Sequence, residues 1–237
     1  LDLRASNAGI EVTGPVRVGL AEAQGTWMMP MVNGVSLPAS ISGTLEITPA
    51  ALNEFGLDAV AEMVSGSTRG RFDIDLGERG AAPILKLTSD LGGLGMEIPG
   101  TGWRKGRGRT GALSLEARLG DRPEVTALSI EAPRLEATGT ITTAEGGGLG
   151  EAAFDNVRLG GWLDAPVRLT GRGPGLPVAI RVPGGTIDLR RAEFGDGGGA
   201  VGAPGPRQPL TLALNRLIVT DNIRLRDLRA DLDLAGG

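Results

Sequence analysis

Apolar and polar residues alternate along most of this chain, and that alternation limits the folds open to it. In the last stretch, TDNIRLRDLRADLDLAGG, Ile223, Leu225, Leu232 and Leu234 stand between arginines and aspartates, with one step in phase around Asp227. A period of two predicts a β-strand with one apolar face and one solvated face. Because the pattern recurs from end to end, we predict an all-β fold whose strands share an apolar face.

Further strands are predicted where the same alternation lies between Gly, Pro and Asp turn signals. These segments are ISGTLEIT, GRFDIDLG, GALSLEARLG, ALSIEAPRLEATGTITT, PVRLTG, PVAIRVPGGTIDLRR and PLTLALNRLIVTD. Within them, VPGGTI around Gly184 and Gly185 is the best candidate for a two-residue hairpin turn. The stretch TPAALNEFGLDAVAEMV predicts one short helix near residues 49–63, with Thr48 as N-cap and Pro49 at the first helical position.

The apolar faces are aliphatic, since aromatic residues make up only 3% of the chain beside 40 Gly and 15 Pro. A second sheet covers such faces in a sandwich, whereas a curled sheet leaves them open to foreign hydrocarbon. The scarcity of bulky rings favours the second arrangement, an elongated, twisted antiparallel sheet curled into an open groove. We expect a β-groove segment over residues 1–194, a Gly/Pro-rich loop over 195–209, and strands over 210–237 that continue the groove.

Composition excludes several kinds of site. The chain has no Cys and no His, so it cannot form a disulfide, a thiolate zinc site or a histidine general base. Its net charge of −4 gives no electrostatic reason to bind nucleic acid. No apolar run approaches the roughly 18 residues of a membrane span, and the first residues do not resemble a signal peptide. We therefore expect a piece of a longer protein whose targeting segment lies upstream.

Four motifs have both a functional and a structural interpretation. GGGAVG, residues 197–202, has the spacing of a phosphate-binding loop but no helix signal after it, which favours an ordinary loop. Acids at alternate positions, Asp73 with Asp75 and Asp231 with Asp233, could serve glycoside hydrolysis or hold calcium, but their alternation favours solvated strand faces. The Met-rich stretch GTWMMPMVNG is either core, which we favour, or an adaptable binding face.

The basic stretch GWRKGRGRTG predicts either a solvated hairpin tip or a contact with membrane or lipid headgroups. The residues of that candidate contact are Trp103, Arg104, Lys105, Arg107 and Arg109.

The segment LTSDLGGLGMEIPGTGWRKGRGRTGALSLEARLG, residues 87–120, resembles the YhdP-type branch of the AsmA-like bacterial envelope proteins. The likeness lies in an SDL-x-G-x-x-x-x-x-P pattern, matched by Ser89, Asp90, Leu91, Gly93 and Pro99, with Lys105 in place of the basic residue of the following loop. The segments AAFDNVRLGGWLDAPVRLTGRG and PLTLALNRLIVTDNIRLRDLRADLDL resemble alphaproteobacterial members of the family.

The resemblance implies a groove with an aliphatic interior, in a protein anchored in the inner membrane that moves phospholipids across the periplasm. We therefore expect a conduit for acyl chains rather than an enzyme, without a cofactor or metal. Phospholipid would be its partner, and the membrane would be reached through other parts of the parent chain. The residues predicted to line the groove are Leu113, Leu115, Val178, Ile180, Leu212, Leu214, Ile223, Leu225, Leu232 and Leu234.

Two alternatives use the same strands. The first is a β-sandwich or β-solenoid adhesion module with a closed core. The second is a carbohydrate-active enzyme on a β scaffold that uses acids such as Asp73 or Asp231.

Overall fold

The fold is all-β, as the alternation predicts, with a large, twisted and mostly antiparallel sheet. A computed structural model describes residues 1–18, 21–54, 57–193 and 207–234. The strands are β1 Asp2–Ser6, β2 Gly9–Val18, β3 Ala21–Val32, β4 Val35–Ser36, β5 Ser40–Ile47, β6 Val64–Gly66, β7 Thr68–Asp75, β8 Ile84–Ser89, β9 Leu94–Ile98, β10 Trp103–Lys105, β11 Ala112–Arg118, β12 Glu124–Ala132, β13 Leu135–Thr143, β14 Leu149–Leu159, β15 Leu163–Thr170, β16 Ala179–Val182, β17 Thr186–Asp188, β18 Gln208–Ile218 and β19 Arg224–Leu234.

The predicted helical segment forms two short helices, α1 Pro49–Glu54 and α2 Asp58–Ala61. The Thr48 side chain caps α1 as expected, because its Oγ1 accepts a hydrogen bond from the Ala51 N–H at 3.1 Å. A single turn of 3-10 helix, Leu189–Arg191, follows β17.

The chain divides into two compact units. Unit 1 comprises Leu1–Gly95 and Gly106–Thr126, and unit 2 comprises Met96–Lys105 and Ala127–Gly237. This division differs from the expected boundaries. The residues of β9 and β10 from Met96 onward belong to unit 2, and so do β18 and β19. Most of the expected Gly/Pro-rich loop, including the whole of GGGAVG, lies outside the described residues.

In unit 1 the strands pair antiparallel in the order β1-β2-β3-β5-β7-β8-β11. Directly opposed residues of such a ladder lie on the same face of the sheet, so the register assigns every side chain to a face.

In unit 2 the strands β13, β14 and β15 pair antiparallel, and β18 pairs antiparallel with β19. Between them, β16 and β17 each pair antiparallel with β15 and parallel with β18. The pairing of β15 and β18 with both segments shows that β16 and β17 occupy one strand position in succession.

The hairpin prediction for VPGGTI is therefore wrong, since β16 and β17 do not pair with each other. Gly185 has φ +83°, and a Cβ there would lie 2.4 Å from the Asp164 carbonyl oxygen. Its N–H donates to Asn215 Oδ1 at 2.7 Å, and its carbonyl accepts from the Asn215 N–H at 3.0 Å. The two glycines thus form an interruption within a strand, held by the neighbouring strand β18.

The phase step predicted near Asp227 is present. Asp227 has φ +51°, in the left-handed region that interrupts regular alternation. On its two sides Leu225 lies opposite Leu217 and Leu228 lies opposite Leu214. Because Leu217 and Leu228 both pack against the same core, the step keeps leucines on one face of β19.

Candidate functional site

One row of apolar side chains crosses unit 1 from strand to strand, perpendicular to the chain direction. We call this row lane 1. Its members are Leu3, Val12, Trp27, Ile41, Ile74, Leu85 and Ala117, each directly opposite the next. The lane thus extends over seven strands without a polar side chain.

The adjacent row, one residue along each strand, is entirely polar and lies on the opposite face. Its members are Asp2, Thr13, Thr26, Ser42, Asp73, Lys86 and Glu116. Thr13 and Thr26 approach with their Oγ1 atoms 3.0 Å apart, and Lys86 Nζ lies 3.9 Å from Glu116 Oε2. The acids Asp73 and Asp75 are exposed on this face, as the alternation predicts.

Most side chains of lane 1 are only half-buried. Leu3 is 68% exposed and Ala117 is buried, and the other five members are intermediate. Partial burial leaves aliphatic surface accessible to a ligand, and the ligand would gain about 25 cal/mol for each Å² of apolar surface that it covers.

The predicted lining residues Leu113 and Leu115 lie on this apolar face. Leu115 is opposite Leu87 of β8, and Leu113 is opposite Ser89. Both are half-buried. The sequence prediction placed β11 in the correct phase, because its alternation is unbroken over the whole strand.

The Met-rich stretch also belongs to unit 1. Trp27, Met29 and Met31 are half-buried and Met28 is 42% exposed, so none of them is a core residue. The expectation of core is wrong here because β3 alternates between the two faces of the sheet. Trp27, Met29 and Met31 lie on the apolar face, and Met28 lies on the polar face, opposite Glu11 and Ser40.

A similar row, lane 2, crosses unit 2. Its members are Ile141, Ala152, Leu169, Ile180, Leu210 and Leu232. Ala152 is buried, Leu232 is 46% exposed and the others are half-buried. Two predicted lining residues, Ile180 and Leu232, are thus brought together on one face.

A different part of the same face is closed by the protein itself. The core of unit 2 consists of Trp103, Leu135, Leu159, Leu163, Ala165, Val182, Ile187 and Leu214. Trp103 enters it from β10, and its Nε1–H donates to the Pro133 carbonyl at 2.8 Å. An indole ring therefore fills a part of the face that the sequence prediction had left open.

This core corrects several predicted lining residues. Leu214 is 1% exposed and cannot line an open groove. Leu212 is half-buried and packs against the same core, as do Ile180 and Leu210 of lane 2. Ile223 lies in the turn before β19, with its N–H donated to Thr220 Oγ1. The other three predicted lining residues are not closed by this core. Val178 is half-buried just before β16, and Leu225 and Leu234 are 42% and 39% exposed on β19.

The predicted headgroup contact is also corrected. Trp103 and Lys105 are buried, at 5% and 3% exposure, so neither presents its side chain to a membrane surface. Arg104, between them, points to solvent with Nη2 3.6 Å from Glu97 Oε1. Arg107 and Arg109 are exposed in the loop after β10. The first part of the basic stretch, Trp103–Lys105, is therefore a short strand with alternate residues buried, and residues 106–110 form the exposed loop that follows it.

Asp188 anchors a charged cluster at the end of β17. Its carboxylate accepts from Arg190 Nε at 2.8 Å and Nη2 at 2.7 Å, and Arg190 Nη1 reaches Asp221 Oδ1 at 2.5 Å. The hydrogen bond from the Arg190 side chain holds the pKa of Asp188 below its ordinary value, and those to Asp188 and Asp221 raise the pKa of Arg190. Sequence alternation gives no sign of this cluster, which depends on a turn.

The Asp188 cluster predicts a pH dependence of stability. Because the folded pKa of Asp188 is lowered from 3.8, its carboxylate stabilises the fold above that pH and loses this effect as pH falls through the folded value. We expect the difference in unfolding free energy between the natural chain and Asp188→Asn to shrink on acidification below 3.8. Urea unfolding followed by circular dichroism at a series of pH values measures it, and a difference that stays constant or grows contradicts the assignment.

Within the described ranges, no group of three or more His, Cys, Asp or Glu side chains is arranged to hold a metal ion. None of the helices in the described part of the chain has the length and hydropathy that crossing a bilayer requires. Asp231 and Asp233, like Asp73 and Asp75, are exposed on a strand.

No protein-family model, no curated protein and no solved structure matches this chain.

Proposed function

We propose that this chain is a segment of a periplasmic bridge-like lipid-transfer protein of the AsmA-like, YhdP type. Phospholipid acyl chains would move along its aliphatic sheet face between the inner and outer membranes. The observation that carries the proposal is lane 1, an apolar row continuous over seven strands with its side chains largely half-buried.

The direction of the lane suits transport. Each step from one strand to the next is about 4.8 Å and presents another aliphatic or aromatic side chain. Each lipid CH₂ removed from water contributes about 0.8 kcal/mol wherever it lies along such a row. An acyl chain therefore meets a nearly uniform energy as it slides, instead of a single deep site.

A photoreactive residue tests this proposal directly. Benzoylphenylalanine at Ile41, in lane 1, is expected to cross-link phospholipid when the protein is illuminated in bacterial cells and analysed by mass spectrometry. The matched control is Ser42, the next residue of β5, which lies on the polar face. Adducts at Ile41 and not at Ser42 support the proposal.

The opposite result has a defined meaning. A protein that folds normally, shows no phospholipid adduct at Ile41 or Ile74, and yields no phospholipid on solvent extraction contradicts acyl-chain transport. Equal cross-linking at Ile41 and Ser42 indicates non-specific contact and also contradicts it.

A structural module is the second candidate, because of one observation. The core around Trp103 is closed by the protein's own side chains, as in an adhesion domain. That candidate predicts dry protein after purification and no adduct at Ile180 of lane 2, where the transport proposal predicts one.

A further inference from the structure

Four arginines lie together on the polar face of β18 and β19. We call Arg216, Arg224, Arg226 and Arg229 the arginine patch. All four are exposed. Arg216 lies directly opposite Arg226 across the strand pair, so two like charges are neighbours with no residue between them.

This arrangement departs from the charge pattern of the same row. Glu136, Arg158 and Asp164 lie opposite one another in β13, β14 and β15. Arg158 makes ion pairs with both acids, at 3.1 Å to Glu136 and 3.7 Å to Asp164. The row then continues through Thr186 to Arg216 and Arg226, where no acid is opposite.

Two exposed arginines on other strands do have acidic partners. Arg118 pairs with Glu124 at 3.1 Å, and Arg168 pairs with Glu151 at 3.3 Å. Like charges directly opposed in a sheet are destabilising. Arg168 also lies opposite an arginine, Arg181, but it has Glu151 as an acidic partner. In the described part of the chain neither Arg216 nor Arg226 has such a partner. A solvent-facing arginine pair of this kind points to an anionic partner outside the chain.

An exposed aliphatic side chain lies at the turn end of the same hairpin. It is Ile223, which is 51% exposed. The turn that carries Ile223 is well bonded, because the Ile223 carbonyl accepts from the Val219 N–H at 2.9 Å and the Ile223 N–H donates to Thr220 Oγ1 at 3.1 Å. These bonds fix the backbone at Ile223, whose side chain is about half exposed.

We propose that the β18–β19 hairpin of this chain contacts the surface of an anionic phospholipid bilayer. The guanidinium groups of the patch bind lipid phosphates, with which arginine forms paired hydrogen bonds, and Ile223 enters the interfacial layer beside them. The net charge of −4 does not oppose this contact at physiological salt, because charges more than about 10 Å away are largely screened. The inference goes beyond acyl-chain transport and does not depend on it.

Vesicle co-sedimentation of the whole chain tests the contact. We expect binding to vesicles that contain phosphatidylglycerol, weak binding to pure phosphatidylcholine, and a decrease with added salt. The double variant Arg216→Gln/Arg226→Gln is expected to bind about 25-fold more weakly, since each arginine at an anionic surface contributes roughly a five-fold factor. Ile223→Ser is expected to weaken binding without changing its salt dependence.

The matched control is Arg118→Gln/Arg168→Gln, which removes the same number of charges from arginines that already have acidic partners. It is expected to retain binding. Equal losses in the two double variants, equal binding to both kinds of vesicle, or displacement by millimolar inorganic phosphate would overturn the proposal. Tighter binding to heparin than to the vesicles would overturn it as well, in favour of a soluble polyanion.

The readout at Ile41 separates this proposal from the transport function. Lane 1 lies in unit 1 and the arginine patch lies in unit 2. If Arg216→Gln/Arg226→Gln loses vesicle binding while lipid adducts still form at Ile41, the hairpin contact is confirmed independently of transport. If the same variant binds vesicles fully, the contact is refuted whatever the adducts show.

Discussion

Replacement of Trp103 by Ala is expected to destabilise unit 2 by about 3–5 kcal/mol. The indole ring is 5% exposed and lies in a core with Leu135, Leu159 and Leu214. Its removal leaves a cavity, because β10 has only three residues and cannot move far enough to close it. The same substitution leaves the Pro133 carbonyl without its indole donor. Denaturant unfolding followed by circular dichroism measures the loss.

Arg104 provides the control for this experiment, since it is the next residue of the same strand. Arg104→Ala removes only an exposed ion pair with Glu97 and is expected to cost less than about 1 kcal/mol. Trp103→Phe keeps most of the packing and tests the hydrogen bond separately. If Trp103→Ala and Arg104→Ala have equal effects, Trp103 does not close the core.

The second large effect is expected at Gly185, in the interruption between β16 and β17. A methyl group there would lie 2.4 Å from the Asp164 carbonyl oxygen and 2.5 Å from Ala165 Cα, both of which are backbone atoms of β15. Gly185→Ala must also hold φ +83°, which costs an alanine about 1–2 kcal/mol. Strand displacement adds about 1–3 kcal/mol, so we expect a total of roughly 2–5 kcal/mol.

Gly161→Ala isolates the steric part of that effect. Gly161 has φ +78°, close to the value at Gly185, and a Cβ there would meet no atom within 4 Å. Gly161→Ala is therefore expected to lower the free energy of unfolding only by the backbone cost of about 1–2 kcal/mol. Thermal unfolding of the two variants side by side gives the difference, and equal losses would show that the close approach of β15 relaxes freely.

Alternation predicted the strands well because it is a local property. Each segment named from the sequence overlaps at least one strand of the structure, and the left-handed Asp227 lies where the phase of β19 changes. The phase of β11 was correct for the same reason, so Leu113 and Leu115 were placed on the apolar face.

Coverage of that face could not be predicted in the same way. Whether Leu214 or Leu232 is open depends on where the short strand β10 packs, and no periodicity in β18 or β19 records that. Trp103 stands in a basic stretch, which suggested an exposed loop, and its burial follows from a three-residue strand with alternate side chains inward.

The hairpin at VPGGTI failed for a related reason. Two glycines allow a tight turn, but they also allow a close approach by a neighbouring backbone. Only the pairing of β15 and β18 with both flanking segments distinguishes the two.

The lanes also bear on how such a chain tolerates change in length. Lane 1 contains a single side chain from each of its strands, so exchange of one aliphatic residue for another at Ile41 or Ile74 keeps the apolar row continuous. An added or deleted residue inside β5 exchanges the two faces of that strand beyond the change and sets a serine between Trp27 and Ile74. Drift among Val, Ile and Leu is thus expected to be common in related chains, whereas indels are expected to be confined to the connecting loops.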